Sequence, residues 1–343
     1  MTTRFPAEWE EQDGVLLAWP HPESDWRNDL DLVEPVFTEI ARQISRFETV
    51  LITAPDTEPV RLKLARAGAI MERVRLFTME TNDTWARDFG PITVLENGRP
   101  LLLDFVFNGW GLKFASDKDN LINRRLSDAG AFSAHLRTEG LVMEGGSIES
   151  DGSGTILTTA RCLLSPNRNP HLSRSEIEAE LGRLLGAERF LWLENGYLAG
   201  DDTDSHVDTL ARLCPDDTII HVACSDPSDE HFHAIGKMVA ELGGLRTRAG
   251  LPYRLIPLPW PGARFDDDGL RLPATYANFL VINGAVLMPT YDDPGDETAL
   301  RAVGSAFPDR EIIGVDCLPL LLQHGSLHCV TMQLPKGTIS LTS

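Results

Sequence analysis

Short runs rich in Val, Ile and Leu alternate with amphipathic helical patterns along nearly the whole 343-residue chain, and this alternation confines the fold to the α/β class. Gly14 to Trp19 reads as a strand, and Leu30 to Arg46 as a helix whose apolar positions (Leu32, Val33, Val36, Phe37, Ile40, Ile44) share one face. Thr49 to Thr53 is a strand again. Ile92 to Leu95 and Leu101 to Phe105 read as a hairpin about Glu96-Asn-Gly98, followed by a helical pattern from Ser116 to Gly130. Strands at Ser147 to Glu149 and Thr155 to Thr158 precede a helix from the cap Ser173 to Leu185 and a strand at Arg189 to Leu193. Strand Thr218 to Val222, helix Ser228 to Leu242 and strand Arg254 to Leu258 form another unit. The last has strands at Phe279 to Ile282 and Ala285 to Met288, a helix over Asp296 to Phe307, and strands at Glu311 to Val315 and His328 to Met332. About five such units share no sequence identity. A propeller-like ring and an open two-lobed sheet both fit the pattern, and with no Pro/Gly/Ser-rich linker the reading is a single domain over residues 1–343.

Charge narrows the partners. With 51 acidic and 31 basic residues the formal charge is −20, a field that repels phosphate backbones and anionic lipid surfaces and concentrates small cations. Nucleic acid and membrane are therefore excluded as partners, and no run of 18 or more apolar residues is present. The opening residues have no leader pattern, so a cytoplasmic location is expected. Cys162, Cys214, Cys224, Cys317 and Cys329 contain no C-x-x-C spacing, which argues against a disulfide framework or a thiolate zinc site. Asp266-Asp-Asp268 reads as an exposed turn.

Four polar clusters interrupt the apolar runs at their ends, where loops carry function. Asn82 to Pro91 sets Trp85 three residues before Asp88, a ring and a carboxylate suited to a planar cation, or else a capping acid beside a half-buried indole. Glu144 follows three apolar residues and precedes Gly145-Gly146, so its carboxylate is low in solvent and needs a partner; the glycines match no phosphate-binding pattern. Gly200 to Thr209 contains Asp202, Asp204, His206 and Asp208; His206-x-Asp208 has strand spacing, which points both side chains the same way. A metal site is disfavoured there because no second His stands at ligand spacing. Finally, Gln323 to Thr331 puts Cys329 after a flexible Gly-Ser stretch at the mouth of a strand, a better station for a nucleophile than the apolar runs around Cys162 or Cys224. His328, next to it on that strand, would face the opposite side and is read as structural.

These clusters share one chemistry. A guanidinium is planar, cationic and resonance-stabilised, and attack on its carbon needs carboxylates to hold it, a thiolate above its plane and a His to pass protons. Asp88, Asp208, Glu144, Cys329 and His206 supply that set.

Taken together, Phe5-Pro-Ala-Glu-Trp-Glu10, Asn82 to Pro91, Phe107-Asn-Gly-Trp-Gly111, Glu144-Gly-Gly-Ser147, Leu164 to Pro170, Thr203 to Asp208, Asp292 to Asp296 and His328-Cys-Val-Thr331 resemble the agmatine deiminase and bacterial peptidylarginine deiminase family of guanidino-group-modifying enzymes. The resemblance implies a five-fold pseudosymmetric α/β propeller with a central site, and neither metal nor organic cofactor. It implies Cys329 as nucleophile, His206 as acid/base with Glu144 as its paired acid, Asp88 and Asp208 on the guanidinium, and Trp85 at the substrate channel. The expected substrate is a small guanidino cation, agmatine first, with arginine or peptidylarginine as the alternative and a homodimer as a plausible assembly. An acidic rim with Asp202 or Asp204 would suit the ammonium of agmatine. Gln323 to Leu327 stands where the family usually has Gly-Gly-Gly-Asn-Ile, Ser205 where Gly is common and Asp202 where Glu is frequent, all expected near the entrance. A non-enzymatic guanidine binder would lack the complete Cys, His and carboxylate set, and a peptide-cutting Cys-His hydrolase has no use for so many acids facing its thiolate.

Overall fold

In the computed structural model, which describes residues 2–340, the alternation resolves into one pairing pattern used five times. A first strand pairs antiparallel with a second, and the second pairs parallel with a third reached through a crossover. The units are Ile92–Glu96, Arg99–Val106 and His135–Val142; Ile148–Ser150, Thr155–Thr159 and Arg189–Leu193; Ala211–Cys214, Thr218–Val222 and Arg254–Leu258; and Leu280–Ile282, Ala285–Thr290 and Glu311–Asp316. The fifth joins both chain ends: Thr331–Pro335 lies antiparallel to Gln12–Ala18, which runs parallel to Thr49–Ala54 and, through it, to Val74–Thr78.

Local chemistry explains the elements. Asn97 (φ 51°) and Gly98 (φ 77°) form the two-residue turn that the Ile92–Glu96 hairpin requires, since left-handed residues there match the strand twist. Helix Arg174–Leu185 opens with a capping box between Ser173 and Glu176 and closes on left-handed Gly186 (φ 70°). Helix Leu30–Ser45 buries Val33, Val36, Phe37, Ile40 and Ile44, while Leu32, expected on the same face, is turned to solvent. The middle strands Thr155–Thr159 and Thr218–Val222 are buried at every residue, their apolar centres Ile156-Leu157 and Ile219-Ile220 flanked by buried polar residues. Asp266-Asp-Asp268 does form a turn, between the short strands Arg264–Phe265 and Arg271–Leu272.

Several elements differ from the sequence reading. Strand His135–Val142 is a half-exposed edge and too polar to show an apolar run, and strand Val74–Thr78 is likewise only partly buried. Helix Thr57–Arg66 buries only Val60 and Leu64, so its stripe is thin. The helix expected from Ser116 begins at Ile122 after a 3-10 turn, and the last strand begins at Thr331, leaving His328 and Cys329 in the segment before it. Among the described residues no helix is long and apolar enough to cross a membrane.

Candidate functional site

Each of the five units brings a polar side chain in from the same place, the segment leading into its first strand. Asp88 precedes Ile92, Glu144 precedes Ile148, His206 and Asp208 precede Ala211, Asn278 precedes Leu280, and Cys329 precedes Thr331. Repetition of one connection thus gathers residues more than 240 positions apart.

Gly146 is where three of them meet. A Cβ added there would lie 2.6 Å from His206 Nδ1 and 3.0 Å from both Asp208 Oδ2 and Asp88 Oδ1. Only glycine leaves room for that convergence, and its N–H donates to Asp88 Oδ1 at 3.0 Å. Asp88 Oδ2 accepts from Trp110 Nε1 at 2.9 Å. Trp110 is left-handed (φ 54°), flanked by Gly109 and Gly111 with positive φ as well, a strained turn maintained beside the site. Burial, with Asp208 and Glu144 nearby, pushes the Asp88 carboxyl up to about 6 against the opposing pull of His206.

His206 sits 3.5 Å from Asp88 and 3.9 Å from Glu144, with neither ring nitrogen hydrogen-bonded. Burial opposes its charge, but Asp88, Cys162 and Glu144 outweigh that and raise its pKa well above the ordinary value, so the imidazolium is favoured. Glu144 is engaged more closely elsewhere: Arg168 Nε lies 2.9 Å from each of its oxygens. Despite burial, His206 and Arg168 hold that carboxyl low. Asp208 Oδ2 is bonded to His328 Nδ1 at 2.7 Å while Oδ1 is buried without a partner. The strand spacing expected for His206-x-Asp208 is a 3-10 turn, Val207–Thr209, instead; convergence comes from the fold of that turn about Gly146, not from strand alternation.

Cys329 Sγ lies 3.3 Å from Asn278 Oδ1, which also accepts the backbone N–H groups of His328 (2.9 Å) and Cys329 (3.2 Å). Burial, then Asp208 and Asp88, push the thiol well above its usual range, so it rests protonated. Cys329 and Asp88 line a cavity of ≈ 150 Å³ that opens to solvent. Its walls carry Trp85, Trp110, Asp25, Asp83, Asp201 and Asp202, with Gln323 to Gly325 at the lip, and neither Lys nor Arg. An added Cβ at Gly325 would collide with the Trp85 ring, so this loop lies flat on the indole.

Trp85, Asp88, Asp202 and Cys329 thus line one cavity, and the buried His206 and Asp208 converge with Asp88 about Gly146, with Glu144 beside His206. Asp204 is different. Its oxygens are bonded to Lys113 Nζ (2.9 Å) and Arg168 Nη1 (2.7 Å), so its charge is balanced within the protein, and a role for it on a ligand ammonium is corrected accordingly. Ser205, where Gly was expected, adopts φ 67°, and it is buried, not at the entrance. The sequence reading also passed over Asn278, Trp110 and Arg168. Trp110 and Arg168 lay within recognised stretches without a role; Asn278 had one available signal, its place before the first strand of the unit otherwise lacking a polar candidate.

Glu144, Cys162 and His206 place their ligand atoms within 4.8 Å of one another. They do not suit a metal ion, because Arg168 occupies both oxygens of Glu144 and sets a guanidinium where a dication would stand. Glu8, Glu149 and His328 form a second such group, which Arg212 fills in the same way.

Comparison with known proteins agrees with the resemblance seen in the sequence. Curated agmatine deiminase from Pseudomonas aeruginosa is 34% identical, covering 97% of this chain and 95% of its own. A Cys-to-Ser variant of C. jejuni agmatine deiminase with substrate bound superimposes with a TM-score of 0.91 at 40% identity, over 98% of this chain and 97% of that one. A Porphyromonas gingivalis structure whose assignment as an arginine deiminase is provisional gives 0.94 at 51% identity, over 98% and 100%. The family model for Porphyromonas-type peptidyl-arginine deiminase matches residues 4–335, and the chain belongs to that family.

Proposed function

We propose that the protein is an agmatine deiminase, hydrolysing the guanidinium of agmatine to N-carbamoylputrescine and ammonia as a step of polyamine biosynthesis in the cytoplasm. The carrying observation is the cavity wall: five aspartates, Asp25, Asp83, Asp88, Asp201 and Asp202, lead to a buried thiol, with no Lys or Arg among the lining residues to receive a carboxylate. Such a wall suits a substrate cationic at both ends and disfavours arginine, whose carboxylate would face aspartates. Asp202 is the wall acid assigned to the distal ammonium.

In this reading Asp88 and Asp208 hold the guanidinium through charge-assisted hydrogen bonds, and Trp85 covers the chain behind it. Arrival of the cation offsets the two carboxylates that keep the Cys329 thiol protonated, so the thiol gives up its proton to solvent through the open cavity and the thiolate forms with its electrophile already in place. Sγ attacks the central carbon and gives a neutral tetrahedral adduct. His206, protonated at rest, donates to one amine; ammonia leaves as the C–N bond breaks, and an S-alkylthiouronium remains. Neutral His206 then takes a proton from water, whose oxygen adds to the same carbon. Collapse breaks the C–S bond, the hydroxyl proton of the adduct passes to the departing Sγ to restore the thiol, and the ureido product is released. Glu144 supports the charge on His206 from behind, while Arg168 fixes Glu144. No step uses a metal or an organic cofactor.

The five repeated units support a five-bladed pseudosymmetric propeller, read as one deiminase domain over residues 1–343 and open to assembly as a homodimer. A colorimetric assay for ureido product on agmatine, free arginine and an arginine peptide tests the function. Product from agmatine in preference to the other two is expected; preference for arginine or the peptide, or product from none, would overturn it.

A further inference from the structure

His328 is bonded at both ring nitrogens, and each bond leads to a different part of the molecule. Nδ1 lies 2.7 Å from Asp208 Oδ2. Nε2 lies 2.8 Å from Glu8 Oε1 and 3.1 Å from Arg212 Nη2. Glu8 is held in turn by Arg212 through Oε2 and by Arg87 Nη1 at 3.2 Å. The ring is buried, and its backbone N–H is tied to the Asn278 amide oxygen that Cys329 also contacts. Neither nitrogen is free to act as a base toward Sγ.

Asp208 shows what the arrangement accomplishes. A carboxylate with two unbound oxygens turns about its Cβ–Cγ bond; this one has Oδ2 fixed and Oδ1 buried without a partner. In an ordinary core the second oxygen would be satisfied too, because an unpaired buried acceptor costs stability.

We propose that His328 is a positioning residue, which clamps Asp208 Oδ2 through Nδ1–H so that Oδ1 is presented to the guanidinium, with Glu8 and Arg212 fixing the ring from below. The proposal rests on the guanidino reading of the site and adds to it a chain of contacts from the segment before the first long strand to the substrate-binding carboxylate. It also gives the paired His328-Cys329 sequence a physical sense: one residue supplies the nucleophile, and its neighbour orients the acid that the nucleophile's substrate meets.

The test is a set of variants with agmatine as the probe. His328→Ala should raise KM by about 10- to 100-fold, the worth of a charge-assisted hydrogen bond, with a smaller change in kcat. His328→Asn, whose amide N–H can stand near the Nδ1 position, should recover KM to within about threefold of the wild type. Combined with Asp208→Asn, His328→Ala should add less than about twofold, because the clamped group is already gone. The proposal fails if His328→Asn is no better than His328→Ala, or if the double variant multiplies the two defects. Unfolding temperatures of the same proteins separate a general loss of stability, which the Asn variant would share, from a loss of aim. Wild-type turnover of arginine in place of agmatine would overturn the substrate reading alone, and the cycle would then be read on arginine, since both present a guanidinium to Asp208. Calorimetric binding of agmatine to Cys329→Ala, with and without His328→Ala, reads the same 10- to 100-fold difference where no ammonia is released; equal affinities would sink the proposal.

Discussion

Two layers of buried charge lie against each other in this molecule, and they are finished to different degrees. In the lower one, Arg212 is bonded to Glu8, Glu149 and the carbonyl oxygens of Ala277 and Phe279, while Arg87 reaches Glu8 and Gln333. No buried polar atom of Glu8, Arg87, Glu149, Arg212 or His328 lacks a partner. In the upper layer, both ring nitrogens of His206, Asp208 Oδ1 and Asn278 Nδ2 are unpartnered. The contrast separates scaffold from site by chemistry alone. A satisfied network rigidifies the strands that carry it, whereas a layer that leaves the acceptor Asp208 Oδ1 and the donors of His206 and Asn278 unpaired is incomplete until a ligand with both a cationic N–H and a lone pair arrives.

The largest expected effect falls on the upper layer. Cys329→Ala should lower ammonia release by about 10⁴-fold or more while leaving the unfolding free energy within about 1–2 kcal/mol of the wild type. Steady-state assay and urea unfolding measure the two sides. Substantial turnover in this variant would mean that the thiol is not the nucleophile.

Arg212→Met is the reverse experiment. Removing the guanidinium leaves buried Glu149 without its cation and Glu8 with only Arg87 and His328, a change that costs about 3–5 kcal/mol in comparable pairs. Urea unfolding at pH 7 should show that loss. A variant as stable as the wild type would mean that the lower layer does not hold the strands together, and the distinction between the layers would collapse.

The site was more legible in the sequence than the scaffold beneath it, for reasons these residues make plain. Asp88, Glu144, His206 and Cys329 announce themselves because each breaks an apolar run at the mouth of a strand. Asn278, a single amide between Ala277 and Phe279, looks like any turn residue, and only the five-fold repetition of the fold marks its position. Arg212 and Glu8 stand 204 positions apart, and no local pattern encodes an ion pair across such a separation. Asp204 misled for the same reason: Arg168, 36 residues away, claims it. His135–Val142 escaped notice as a strand because an exposed edge has no need of an apolar run.

A smaller effect comes from the protonation of Asp88. Its carboxyl, raised to about 6 by burial and neighbouring acids, is ionised above that pH and neutral below it. Only the ionised form can hold a guanidinium, so kcat/KM should fall by about tenfold per pH unit below about 6, with kcat at saturation less affected because bound cation favours the carboxylate. Asp88→Asn should lower the plateau and erase the limb. A profile flat down to pH 5 would show that Asp88 is already ionised in the free protein, making the upper layer as well satisfied as the lower.

The smallest expected effect concerns charge outside both layers. The formal −20 includes Asp25, Asp83, Asp201 and Asp202 on the cavity wall, within reach of an entering cation, and many acids far from it. Long-range attraction acts on encounter and is screened as the Debye length falls from about 10 Å at 0.1 M salt to about 3 Å at 1 M. Raising ionic strength across that range should therefore lower kcat/KM for agmatine several-fold, through KM, and leave kcat nearly unchanged. Neutralising a wall acid by Asp202→Asn should flatten the slope more than neutralising an exposed acid such as Asp267, which lies on the turn between the two short strands far from the wall in sequence. Equal slopes for the two variants would assign the attraction to net charge alone; a flat response in the wild type would leave the acidic wall to act only at contact, where Asp88 and Asp208 already hold the cation.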